Sequence, residues 1–447
     1  MNTTRAMRPS PGISALAGEW NLPQNVDSLL ARRKKVLGPA LRLFYADPLH
    51  LVRGSGVWLY DAGGRKYLDM YNNVPHVGHC HPQVVDAIAR QSAMLNTHTR
   101  YLSEPVLDYA ERLTATLPEA LDVAMFSCTG TEANELALRI ARTVTGGTGV
   151  IVTDYSYHGN SQSIAEISTE YGTAETRPPY VVAVPAPDVY RGQYRGDDAA
   201  ARYAEHVEEA IGVLKSRGIK PAALVLDTII SSDGVVAVPP GYLSLAAAHI
   251  RAAGGLFVAD EVQPGFGRTG AHFWGFRMDG VVPDIVTMGK PMGNGHPLAA
   301  TVARRDIVET FARESRYFNT FGGNPVSAAA GLAVLDVLDK ERLRQNALDV
   351  GRHLTAGLER LAGRHERIGD VRGSGFFLAA ELVDDRETKS PATEYAARIV
   401  EGLRSEGVLT NTIGRDDNIL KLRPPMVLSR DEADLFLDIL DRVLSTL

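Results

Sequence analysis

Cysteine is nearly absent: Cys80 and Cys128 are the two in 447 residues, too few for a disulfide framework and without the clustered spacing of a metal site. Free thiols and no bound metal are the expectation. Long apolar runs are missing as well. Nowhere do about 18 apolar residues follow one another, so no span of a membrane is expected, and the opening MNTTRAMRPSPGISALAGEW lacks the apolar core of a signal peptide. A cytoplasmic location follows as an expectation. Nor is there an excess of positive charge: 47 Lys and Arg against 53 Asp and Glu leave a formal net charge of −6, which speaks against a nucleic-acid surface. Internal repeats and low-complexity linkers are also missing.

What remains is ordinary globular composition, 45% hydrophobic and 22% charged, in a chain longer than one hydrophobic core usually serves. From Val123 short apolar runs alternate with amphipathic stretches, the pattern of parallel strands joined by crossover helices. Strands are expected at Val123–Ser127, Val150–Asp154, Ala222–Asp227, Leu256–Glu261, Asp284–Met288 and Ala299–Ala303, with helices at Glu132–Thr143, Ala199–Arg217, Tyr242–Ala253 and Asp306–Arg313. Val52–Met70 reads instead as two β-like runs around the turn Asp61-Ala62-Gly63-Gly64. Beyond Lys340 a helix, β-like runs at Gly375–Leu382 and Ile419–Leu422, and a closing helix from Arg430 are expected. The implied α/β architecture has a mainly parallel sheet with helices on both faces in a large domain, residues 75–340. A smaller α+β domain draws on residues 1–74 and 341–447.

Several segments place chemistry at strand ends. Phe126-Ser127-Cys128-Thr129-Gly130-Thr131-Glu132 follows a strand and opens a helix, so the amides of Gly130 and Thr131 can face a phosphate, or the turn is mere punctuation. Val258-Ala259-Asp260-Glu261-Val262-Gln263 puts Asp260 at the end of an apolar strand, where a buried carboxylate requires a partner. That partner is either a protonated pyridine nitrogen or an arginine such as Arg268. Met288-Gly289-Lys290-Pro291-Met292-Gly293-Asn294-Gly295 places a lysine directly after a strand, a position where it can become less basic and form an imine. Tyr157-His158-Gly159 offers a flat side chain for stacking, and Phe318-Asn319-Thr320-Phe321-Gly322-Gly323-Asn324-Pro325 is a polar turn or helix cap.

Taken in order, SCTGTEAN, YHG, ADEVQPGFGRTG, GKPMGNGHP and TFGGNP resemble class III aminotransferases, pyridoxal-phosphate (PLP) enzymes of fold type I. The resemblance runs from about Phe44 to the C-terminus. It implies Lys290 as the Schiff-base lysine, Asp260 as the partner of the cofactor's pyridinium, and Gln263 as a hydrogen-bond partner of its phenolic oxygen. It also implies that Tyr157 stacks on the ring, that Val262 packs on the other face, and that Gly130 and Thr131 hold the phosphate. Thr320 is implied to reach the cofactor phosphate of a neighbouring subunit, which makes a homodimer the minimum assembly.

Two departures bear on the reaction. Asp227-Thr228 stands where family transaminases often have Glu-Pro, and Lys421 stands where many have a carboxylate-binding arginine. Asn72-Asn73-Val74-Pro75-His76-Val77-Gly78-His79-Cys80-His81-Pro82, Asp188–Arg195 and Leu420-Lys421-Leu422-Arg423-Pro424-Pro425 resemble the ethanolamine-phosphate phospholyase branch. That branch implies elimination of phosphate from a small phosphorylated amine, either O-phosphoethanolamine or 5-phosphohydroxylysine. An ω- or amino-acid transaminase is the alternative, and a non-catalytic PLP or phosphate binder is the third reading. Lys421 and Arg423, two apart on a β-like run, can face one way toward a substrate phosphate, with Arg191 and Arg195 as surface-loop alternatives.

Overall fold

The computed structural model describes residues 26–172 and 174–447; the opening MNTTRAMRPSPGISALAGEW lies outside them. Seven strands form the central sheet in the spatial order Val123–Ser127, Ala299–Ala303, Ile285–Met288, Leu256–Asp260, Pro221–Asp227, Gly149–Thr153, Val181–Val184. Ala299–Ala303 runs antiparallel to both neighbours, and the other pairs are parallel.

Side-chain alternation explains why helices cover both faces. Leu224, Leu226, Phe257 and Ala259 belong to one apolar cluster, whereas the intervening Ala223, Val225 and Val258 belong to another. Gly130–Thr145 and Arg305–Glu314 supply the second cluster, and Ala199–Ser216 and Tyr242–Ala252 supply the first. All four helices lie where periodicity predicts them, within two residues at each end. The aligned strands finish on one side of the sheet, so the segments after Ser127, Thr153, Asp227, Asp260 and Met288 gather there.

Two smaller sheets flank this layer. In the first, Leu51–Ser55, Trp58–Asp61 and Lys66–Asp69 are antiparallel, and Lys66–Asp69 pairs in parallel with Val408–Leu409, so both ends of the chain build it. In the second, Ile368–Ser374, Phe377–Asp385, Ile419–Leu422 and Asn411–Ile413 are antiparallel neighbours. Val181–Val184 and Ile368–Ser374 escape the sequence reading for different reasons. The first is four residues between prolines, at the sheet's edge. The second mixes Gly, Asp and Arg, and becomes a strand through its register with Phe377–Asp385.

The turn after Ser127 rests on aromatic packing. Phe126 stacks on Tyr109 with ring centroids 5.4 Å apart, and Tyr109 lies against Gly331 of the helix Pro325–Lys340. A Cβ at Gly331 would sit 2.4 Å from Tyr109 Cζ. Overpacking of that kind costs about 1–3 kcal/mol, against a helix-propensity gain of about 1 kcal/mol. Gly331→Ala is therefore expected to lower stability in urea denaturation, despite replacing a poor helix former with the best.

Candidate active site

Above the strand ends lies a cavity of about 330 Å3 whose wall includes Gly130, Thr131, Tyr157, Asp260, Val262, Gln263 and Lys290. Seven of the sequence-predicted positions thus converge although they span 160 residues of chain. Thr320 is exposed in the turn before Pro325–Lys340 and is not part of this wall. Arg191 is spent on Glu381 and on Asp416 at 3.4 Å, and Arg195 on the carbonyls of Gly192 and Arg191.

Asp260 is locked from behind. Its Oδ2 accepts from Asn134 Nδ2 at 2.9 Å and His158 Nδ1 at 2.7 Å, and its Oδ1 accepts from the Val262 amide at 3.0 Å. Asn134 is itself held, donating to the His158 carbonyl at 2.8 Å and accepting from Thr287 Oγ1 at 2.6 Å. Arg268 is not the partner of Asp260. Its guanidinium binds the carbonyls of Phe376 and Pro424 and donates to His76 Nδ1 at 3.0 Å. Burial first, and then that guanidinium, hold His76 well below its usual range, which suits a neutral ring accepting through Nδ1 and donating through Nε2 to Phe266 O.

Lys290 follows Ile285–Met288 and opens a tight turn that ends at Asn294, in the left-handed region with φ 50°. Asn294 accepts from the Val77 amide at 2.8 Å and donates to Gly78 O at 2.9 Å, tying the lysine turn to the N-terminal segment. The Lys290 side chain is half-buried and lines the cavity. Burial, and then the Arg423 guanidinium, lower its amine to about 8 against the pull of Asp260 and Asp227.

At the cavity's other side Gln263 has a defined hand. Nε2 donates to Ser231 Oγ at 2.7 Å, while Oε1 accepts from Arg423 and, at 3.5 Å, from Lys421 Nζ. Lys421 and Arg423 do face the same way, but they stand one side chain behind the cavity wall, 2% and 8% exposed. Arg423 is further anchored by Tyr71 O at 2.8 Å and lies over the Tyr71 ring. Burial and then Arg423 hold the Lys421 amine well below the usual lysine range.

The class III aminotransferase family model matches residues 45–444. The chain belongs to that family. An alanine–glyoxylate aminotransferase 2-like protein of Drosophila melanogaster is 44% identical, covering 91% of this chain and 84% of its own. Ethanolamine-phosphate phospho-lyase homolog 1 of Caenorhabditis elegans is 39% identical over 94% and 93%. Among solved structures, a phospholyase from Arthrobacter in complex with phosphoethanolamine superimposes with a TM-score of 0.91 at 46% identity, covering 94% of this chain and all of that one.

The cofactor of this class III chain is pyridoxal phosphate, and the cavity suits it. Thr129 and Glu132 form a capping box, leaving the Gly130 and Thr131 amides without intrahelical partners at the positive end of a 16-residue helix. The space beside them depends on glycine: a Cβ at Gly130 would come within 2.9 Å of Val262 Cγ1, and one at Gly159 within 2.5 Å of Thr131 Oγ1. Amides for a phosphate, a carboxylate for a ring nitrogen and an amine for an aldehyde are the donor set this molecule requires.

Asn134, His158 and Asp227 lie within the sequence motifs and departures without a role evident there, and Ser231 lies in none of them. Asn134 had a local signal, since it lies four residues after Gly130 on the same helical face. Nothing in the sequence points from Ser231 to Gln263.

Lys290 has a folded-state amine at about 8, below its unfolded value of 10.5, so its burial disfavours folding in full below pH 8, where the amine must give up its proton or be buried charged, and the cost fades as pH rises toward 10.5. The shift corresponds to about 3 kcal/mol. In cofactor-free protein, Lys290→Met is expected to be the more stable form at pH 7, with the gap in denaturation midpoint closing between pH 8 and 10.5. A gap independent of pH would mean that the lysine is not desolvated.

Proposed function

We propose that the chain is a phospho-lyase that eliminates phosphate from a small phosphorylated amine. With O-phosphoethanolamine and water the products are acetaldehyde, ammonia and phosphate. The observation that carries this reading is the buried pair Lys421 and Arg423 behind Gln263, which sets two basic groups at one end of the cavity. The relatives named for phospho-lyase activity support it. Aminotransferase-named relatives favour transamination as the competing reading.

Bound in the cavity, pyridoxal phosphate supplies an aldehyde that takes the substrate amine and a cationic ring that draws electron density from the adjacent carbon. Asp260, oriented by Asn134 and His158, holds the proton on the ring nitrogen. Gly130 and Thr131 bind the cofactor phosphate, and Tyr157 and Val262 confine the ring between them. Lys290, uncharged more readily than an ordinary lysine, removes a proton from the amine-bearing carbon. Lys421 and Arg423 attract the substrate phosphate, which departs from the neighbouring carbon with the C–O bonding pair. Water then converts the unsaturated amine to acetaldehyde and ammonia, so no keto acid is consumed.

We place two copies in the working assembly, with Thr320 of each serving the other's cofactor phosphate. Exposed Leu102 (96%) and Phe321 (70%) flank a region where His98 and Arg100 pack on Phe318, and they offer an apolar surface beside Thr320.

Incubation with O-phosphoethanolamine and no keto acid is expected to release phosphate and acetaldehyde in equal amounts, and Lys421→Ala is expected to raise KM by roughly 10-fold to 100-fold. Turnover of unphosphorylated amines that requires a keto acid would establish transamination instead. Thr320→Ala should retain the cofactor poorly, and Lys290→Ala should be inactive. Mixing the two with subunit exchange verified should restore activity through one native site per dimer, whereas self-contained sites would give no recovery.

A further inference from the structure

The loop after Pro221–Asp227 is bent in a way that side chains resist. Ile230 and Val235, both β-branched, occupy the left-handed region with φ 49° and 54°. Two clamps outside the cavity hold this shape. Arg372 donates to Val235 O at 2.9 Å and to Gly234 O at 2.8 Å, and Asp233 accepts from Thr153 Oγ1 at 2.9 Å and the Tyr155 amide at 3.1 Å. The bend delivers the fully buried Ser231 to the gap between Asp227 and Gln263.

There Ser231 makes three contacts. Its hydroxyl donates to Asp227 Oδ2 and accepts from Gln263 Nε2 at 2.7 Å, and its amide donates to Asp227 Oδ2 at 3.3 Å. Ile229 N takes the other oxygen at 3.0 Å. The Asp227 carboxylate, part of the cavity wall, is therefore occupied by its own loop. Lys421 turns instead to the neutral Gln263 Oε1, and among the described residues no carboxylate lies within 4.0 Å of its ammonium.

We propose that Ser231 is a positioning residue that determines specificity for anionic substrates, by holding Asp227 away from Lys421 and fixing the hand of the Gln263 amide. Asp227 already pulls on Lys421 from a distance, and an aspartate in direct ion pairing with it would cancel the charge that draws a phosphate. Resting on the phospho-lyase reading, this deepens it: phosphate selectivity resides in how the neighbouring carboxylate is restrained as well as in the cations themselves. Because Arg372 and Asp233 shape the loop independently, loss of one hydroxyl leaves the bend supported.

The test uses the holoenzyme, with kcat and KM for O-phosphoethanolamine and competitive inhibition by inorganic phosphate as readouts. Ser231→Ala should raise KM and the phosphate inhibition constant together by about 10-fold, with kcat and the absorbance of the bound cofactor little changed. Adding Asp227→Asn to Ser231→Ala should bring both constants back toward wild type, because an amide cannot neutralise the lysine. Unchanged constants in Ser231→Ala overturn the inference, as does a combined loss of kcat and KM that Asp227→Asn fails to relieve. Wild-type enzyme that neither releases nor binds phosphate overturns the underlying reading as well.

Discussion

A carboxylate at the end of an apolar strand must be held by something, and in this chain Asp260 is held by groups that leave one side of it open. Asn134 and His158 approach from behind, and the Val262 amide approaches from its own turn. The strand Leu256–Asp260 thus ends in a carboxylate of fixed orientation on the cavity wall. Asn134 lies one turn inside the helix whose first residues, Gly130 and Thr131, line the cavity, so a single helix both shapes the cavity wall and orients Asp260.

Around that anion the cavity concentrates charge which the fold alone would not choose. Lys290, Lys421 and Arg423 crowd one region: burial first, and then Arg423, lower the basicity of both lysines, and Lys290 lowers that of Lys421 further. Asp227 is pushed up by burial and by Asp260. Such an arrangement costs stability, and the surrounding sheets and apolar clusters offset it. Its chemical consequence is an amine near neutrality at Lys290, poised to lose and regain a proton at ordinary pH.

Backbone shape completes the site. The Lys290 turn closes through the left-handed Asn294, whose side chain grips the segment at Val77 and Gly78. The Asp227 loop closes through Ile230 and Val235 under the grip of Arg372. Both strained turns are stapled by residues remote in sequence, so neither shape is a local preference.

Much of the architecture was legible beforehand because it is written in local periodicity. Buried parallel strands read as short apolar runs, their helices as amphipathic stretches, and the reactive groups as interruptions where a run ends, which is how Asp260, Lys290 and the Gly130–Thr131 turn are recognisable without a structure. The order of these motifs also carries the family. What the sequence could not specify is the identity of partners across long separations. His158 meets Asp260 across 102 residues, and Lys421 meets Gln263 across 158. Alternation along a strand states that Lys421 and Arg423 share a face, but only packing of the C-terminal sheet on the central one decides that this face meets Gln263. Arg268, the alternative mate for Asp260 by sequence, is drawn instead to the carbonyls of Phe376 and Pro424. Hydrogen-bond partners are selected by the tertiary positions of whole elements, and periodicity encodes the direction of a side chain without naming what it will find there.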